Sequence, residues 1–71
     1  MGGITMAWLA VDKDGTECIY EFGPVRSKIY DGKFVPLFEN SMWLTLPKGS
    51  IKKLIGRDLD WNDKPVKLKE E

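Results

Sequence analysis

A lone cysteine, Cys18, and the absence of histidine in a chain of 71 residues set the first limits on the fold. A domain this short buries only about 60% of the surface its unfolded chain exposes, so one core is marginal support. Small domains make up the difference with disulfides, a structural metal or a partner subunit. One thiol forbids an internal disulfide, and a chain without His lacks a zinc site of the usual Cys/His kind. Self-association is the route left open, and a homo-oligomer is expected. The sequence reads as one domain, 1–71, with 1–5 and 69–71 expected to be loose and Met6 a second candidate start.

Charge and hydrophobic content narrow the class. Eleven Lys and Arg balance eleven Asp and Glu, which argues against a general nucleic-acid binder with its basic field. A hydrophobic share of 42% excludes a disordered chain. There is no apolar run near the ~20 residues of a membrane span and no signal-peptide pattern at the start, so a reducing cytoplasm is the expected compartment.

The clearest local signal lies at residues 4–22. ITMAWLAV is β-branched and apolar, Asp12-Lys13-Asp14-Gly15 reads as a turn, and TECIYEF reads as a returning strand. A three-residue loop of Lys13, Asp14 and Gly15 needs a left-handed third residue, which Gly adopts most cheaply. That loop sets Asp12 against Thr16, Ala10 against Cys18, Trp8 against Tyr20 and Met6 against Phe22. The Trp8/Tyr20/Phe22 face is expected in the core. The other face carries Leu9, Val11 and Ile19, interrupted by Glu17 and Glu21. A four-residue loop would exchange the faces.

Beyond Gly23-Pro24, short strands are expected at 25–30, at 33–38 (confined to an edge or bulge by Pro36) and at 42–46, the last buried. Ser50 is expected to cap a helix over 51–55 ended by Gly56, with Ile51, Leu54 and Ile55 as its apolar stripe. Residues 65–68 read as a final strand with Val66 and Leu68 inward. The fold expected is mainly β, bordering on α+β. It is a small antiparallel SH3-like or OB-like barrel or curled sheet of four to six short strands, with one short helix before the last. An open α+β sheet with the helix on one face is the competitor.

Chemistry points first to Pro47–Arg57. A helix start offers free backbone N–H groups, Gly49 permits close approach, Ser50 adds a hydroxyl, and Lys48, Lys52, Lys53 and Arg57 add cations, a combination suited to phosphate. The bland alternative is an ordinary cap with solvated lysines. P-loop spacing is absent. Arg26 and Lys28, between Phe22 and Tyr30, are further ligand candidates, with a plain polar edge as their alternative. Trp8 and Trp43 read as core, whereas Trp61 is either a barrel-end cover or an interface residue. Asp58, Asp60 and Asn62 begin like a calcium loop, but Asp63 stands where Gly is required, so turn chemistry is the better reading and no metal is expected. Without His, and with Cys18 inside a strand, no catalytic residues and no cofactor are expected.

The segments Trp8–Glu17, Pro24-Val25-Arg26, Leu46–Arg57 and Pro65-Val66 resemble those of short uncharacterised accessory proteins encoded by phages and mobile elements of gut bacteria. The resemblance spans most of residues 6–68 and carries no activity with it. It implies a small counter-defence protein in a bacterial cytoplasm that acts by binding. Three readings follow. The first is an oligomer that sequesters an anionic, nucleotide-like ligand at the 48–57 island with Arg26 and Lys28. The second is an inhibitor or adaptor of a host protein that uses Leu9, Val11, Ile19 or Trp61. The third is a single-strand nucleic-acid module, for which exposed aromatics and bases would have to interleave.

Overall fold

The computed structural model describes residues 7–38 and 40–68. The expectations for residues 1–5 and 69–71, and the pairing of Met6 with Phe22, lie outside the described residues.

The first hairpin folds as its turn dictates. Strand β1 (Ala7–Val11) and strand β2 (Glu17–Tyr20) pair antiparallel with Trp8 opposite Tyr20 and Ala10 opposite Cys18. Gly15 takes φ 92°, and its N–H donates to the Asp12 carbonyl at 2.9 Å. The Asp12 N–H donates to the Thr16 carbonyl at 2.9 Å, and the Asp14 carboxylate accepts from the Thr16 N–H at 3.0 Å. Every closing bond lies within the loop, which is why a local sequence signal was enough to set the register.

Four more strands and a helix follow: β3 (Val25–Arg26), β4 (Phe34–Val35), β5 (Trp43–Leu46), helix α1 (Ser50–Ile55) and β6 (Val66–Leu68). They form a four-stranded antiparallel sheet of order β5-β2-β1-β6 and a separate β3-β4 pair. The architecture is mainly β, as expected, but among the described residues no sheet closes, so the barrel detail is not reproduced. Strands of two residues at β3 and β4 are too short to carry the sheet around.

Both faces of the large sheet are covered, and this corrects the one-faced core expected from the hairpin. On one face, Leu9 and Val11 pack with Ile51 of α1 and with Leu59, flanked by Ile19, Leu46, Ile55, Val66 and Leu68. Leu9 and Ile51 are the largest fully buried side chains, each worth about 2 kcal/mol of burial. On the other face, Ala10, Cys18 and Tyr20 pack with Phe34 of β4, flanked by Trp8 and Trp61. Phe22 and Trp43, both expected in the core, are exposed; β5, expected to be buried, is an edge strand exposed from Trp43 to Thr45, and Leu54 of the helix stripe is exposed too.

Asp12 ties the two sheets together. It is buried, its carboxylate accepts the Phe34 N–H at 2.9 Å, and the neighbouring Lys13 N–H donates to the Gly32 carbonyl at 2.9 Å. Gly32 has φ 80°, and a Cβ there would stand 2.9 Å from Lys13 Cβ, so this junction admits no side chain.

Candidate functional site

The expected anion site at the start of α1 is already filled by the chain itself. The Glu17 carboxylate, reaching across from β2, accepts the Gly49 N–H at 2.8 Å and the Ile51 N–H at 2.9 Å. A carboxylate at a helix start satisfies orphan donors and meets the positive end of the helix. The helix itself spans six residues and starts one residue earlier than the sequence suggests. Gly49, at φ 92°, is the N-cap and Ser50 is the first helical residue. Ser50 makes no cap bond; its hydroxyl donates to the Pro47 carbonyl at 2.7 Å. Gly56 ends the helix as expected, with φ 82° and its N–H donating to the Lys52 carbonyl at 2.8 Å.

The cations around this helix do not enclose a ligand-shaped space of one charge. Lys48, Lys52, Lys53 and Arg57 are exposed. A hollow of about 500 Å³ beside α1 brings Lys13, Lys48 and Lys52 to the same wall as Glu17, Asp58 and Asp60. With Asp12 also in the lining, four acids face three lysines there, so the hollow does not favour an anion.

Arg26 is spoken for elsewhere. Its guanidinium donates to the backbone carbonyls of Trp61 and Asp63, and lies over the rings of Trp61 at 4.7 Å and Phe34 at 5.2 Å. Phe34 and Trp61 meet edge to face at 5.1 Å on the sheet face opposite α1. Arg26 therefore does not join the 48–57 island; it clamps the loop that carries Trp61. Lys28 is exposed in the β3–β4 connection. The turn reading of the acidic cluster agrees with the geometry: the Asp63 carboxylate accepts the Asp60 N–H at 2.8 Å, and the Asp60 carboxylate accepts the Asn62 N–H at 2.9 Å. Among the described residues no three His, Cys, Asp or Glu side chains converge on a metal position.

The expected interface residues are also placed differently. Leu9 and Val11 are buried under α1 and Ile19 is half-buried against the same cluster, so they offer no free patch. Trp61 is half-buried between Phe34 and Arg26. The reason is the helix: α1 lands on the face that the hairpin alone appears to leave open. The apolar surface lies instead in the stretch between β2 and β5 and on β5 itself. Ile29 is 82% exposed, and Tyr30, Leu37, Phe38, Met42 and Leu44 are each at least half exposed. Phe22 and Phe38 meet edge to face at 5.3 Å within it.

Sequence reasoning missed the roles of Glu17 and Glu21. Each interrupts an otherwise apolar strand face, and each ties β2 to a later segment; the Glu21 carboxylate accepts the Met42 N–H at 3.1 Å. An acid breaking an apolar alternation was the available signal.

Cys18 and Tyr20 are buried with their protons held. Burial pushes the Cys18 thiol above its ordinary value and raises the Tyr20 hydroxyl far above its own. Tyr20 donates a long hydrogen bond, 3.4 Å, to the Phe34 carbonyl. Neither is arranged as a nucleophile. No known protein family, curated protein or solved structure matches this chain.

Proposed function

We propose that this chain is a non-enzymatic protein-binding domain, an inhibitor or adaptor whose contact surface is the apolar connection between β3 and β4 and the segment after β4. The observation that supports this reading is that Ile29, Tyr30, Leu37 and Phe38, all in the connections around β4, are each at least half exposed. Exposed apolar clusters on small domains mark partner surfaces. The residue types suit the role, since aromatic side chains anchor interfaces at low entropic cost. The resemblance to phage accessory proteins adds the setting: a host protein in a bacterial cytoplasm as the partner.

Nucleotide sequestration at the 48–57 island is the weaker reading, because Glu17 holds the amides that a phosphate would need. Single-strand nucleic-acid binding is weaker still, with Trp8 and Trp61 half-buried against the core and no net charge.

Affinity capture from host extract tests the proposal. One dominant protein is expected, retained with Lys52→Ala/Lys53→Ala and lost with Ile29→Asp/Phe38→Asp. Capture that ignores the second pair, or titration heat with a nucleotide that disappears with Lys52→Ala/Lys53→Ala, overturns it.

A further inference from the structure

The geometry points to β5 as the seam of a two-fold dimer, in which the β5 strands of two copies of this chain pair antiparallel about Leu44. Among the described residues, the hydrogen-bond phase of the sheet shows which backbone groups of β5 point away from β2. The Glu21 N–H donates to the Met42 carbonyl at 2.9 Å, in the same register that sets Ile19 opposite Leu44 and Glu17 opposite Leu46. Bonded and non-bonded pairs alternate in an antiparallel ladder, so Leu44 and Leu46 turn their backbone groups toward β2. Trp43 and Thr45 then direct theirs to the open edge. The β1–β2 pair has the complementary phase: Asp12 bonds Thr16, so Ala10 and Trp8 face β2 while Leu9 and Ala7 face β6.

A two-fold axis through Leu44 satisfies those outward groups with no remainder. Trp43 of one copy stands opposite Thr45 of the other, and this pair exchanges both N–H to carbonyl bonds; the symmetric pair does the same. The two Leu44 residues meet at the axis. Aromatic against β-branched is a favourable cross-strand pair.

The side chains agree with this occupant. Residues 42–46 carry no charge, so the strand meets its own copy without like-charge repulsion. Met42 is 69% exposed, Leu44 62% and Trp43 48%, so apolar surface lies bare on both faces of the edge. A shallow apolar hollow of about 250 Å³, lined in part by Ala7, Ile19, Met42 and Leu44, adjoins it on the Leu44 face. The opposite edge is protected differently. The outward backbone groups of β6 belong to Lys67, and Pro65 precedes the strand, two devices that discourage strand addition. Pairing is thus directed to β5 with β5, which closes as a dimer, rather than β5 with β6, which would run on as a fibre. A four-residue seam sits at the low end of interface sizes, so the dimer dissociates on dilution.

Sedimentation velocity over a range of protein concentrations, with Leu44→Cys under mild oxidation, tests the seam. Leu44 pairs with itself at a non-bonded position, where Cα atoms stand about 4.5 Å apart, within the roughly 4.4–6.8 Å that a disulfide spans. Wild type is expected to shift from monomer to dimer as concentration rises. Leu44→Cys is expected to trap the covalent dimer while a Lys67→Cys control on the other edge does not. Native Cys18 is buried and stays out of the reaction. Thr45→Pro removes an outward N–H together with the hydroxyl that accepts a long 4.0 Å bond from the Cys18 thiol, and is expected to abolish the dimer with the circular dichroism of the fold intact. If Thr45→Pro fails to fold, the Leu44→Cys reaction decides. A wild type that stays monomeric throughout, equal trapping at Lys67→Cys, open-ended polymers, or a dimer that persists in folded Thr45→Pro each overturns the inference.

Discussion

Glu17 holds the start of α1 from a distance of more than thirty residues in sequence, with two charge-assisted bonds to the Gly49 and Ile51 amides. Bonds of this kind to helix N-termini typically contribute about 0.5–2 kcal/mol. Glu17→Ala leaves both donors short of a partner and is expected to cost about 2 kcal/mol in a denaturant unfolding curve. Glu17→Gln keeps one acceptor oxygen for the two donors and is expected to fall between. A Glu17→Ala curve that overlays wild type would show that the contact does not support the helix.

At the scale of elements, Arg26 joins β3 to the loop after α1 through two backbone carbonyls and two aromatic rings. A partly exposed cation over an aromatic ring is worth about 0.5–1 kcal/mol, and the carbonyl contacts add to it. Arg26→Ala is expected to speed amide exchange at residues 60–63 about tenfold, equivalent to about 1.4 kcal/mol, while exchange in β1 and β2 stays unchanged. Arg26→Lys keeps the charge but loses the planar fork, so it is expected to recover only part of the protection.

The same elements show what could be read in advance. The β1–β2 register was legible because Gly15 and Asp14 close the turn with neighbours two or three residues away. The helix end at Gly56 was legible for the same reason. Strand order was not: β5 joins β2 at one edge, and nothing in Met42–Leu46 says whether an apolar strand is central or marginal. The site was misread through that gap. Without β5 beside β2, Glu17 has no reason to lie next to Gly49, and the helix amides look free. Ser50 before an apolar stripe looks like a cap, but its hydroxyl bonds back to Pro47 once a carboxylate has taken the cap position.

At the scale of the whole molecule, two buried acids with firmly held protons set a limit at high pH. Cys18 titrates above its ordinary 9.0 because burial disfavours the thiolate, and Tyr20 above its ordinary 10.0 for the same reason. The unfolded chain releases these protons first as pH climbs past those ordinary values, so it then binds fewer protons than the folded chain. By linkage, stability is full below pH 9.0 on account of these groups and falls as pH rises beyond it. Urea midpoints measured at successively higher pH are expected to drop from there, and Tyr20→Phe is expected to flatten the steeper part of the fall. A constant midpoint into the alkaline range would contradict this.

A cap borrowed from β2 also fixes an order of assembly. Six residues cannot nucleate a helix by themselves in water, and the group that completes this one is delivered by a strand that must first be aligned with its neighbours. The β1–β2 hairpin, with its short loop, is therefore expected to form early and the coil of α1 to be among the last contacts made, an order that φ-values at Ala10 and Ile51 would check. Cut out as a peptide, residues 47–57 would have no shape to keep.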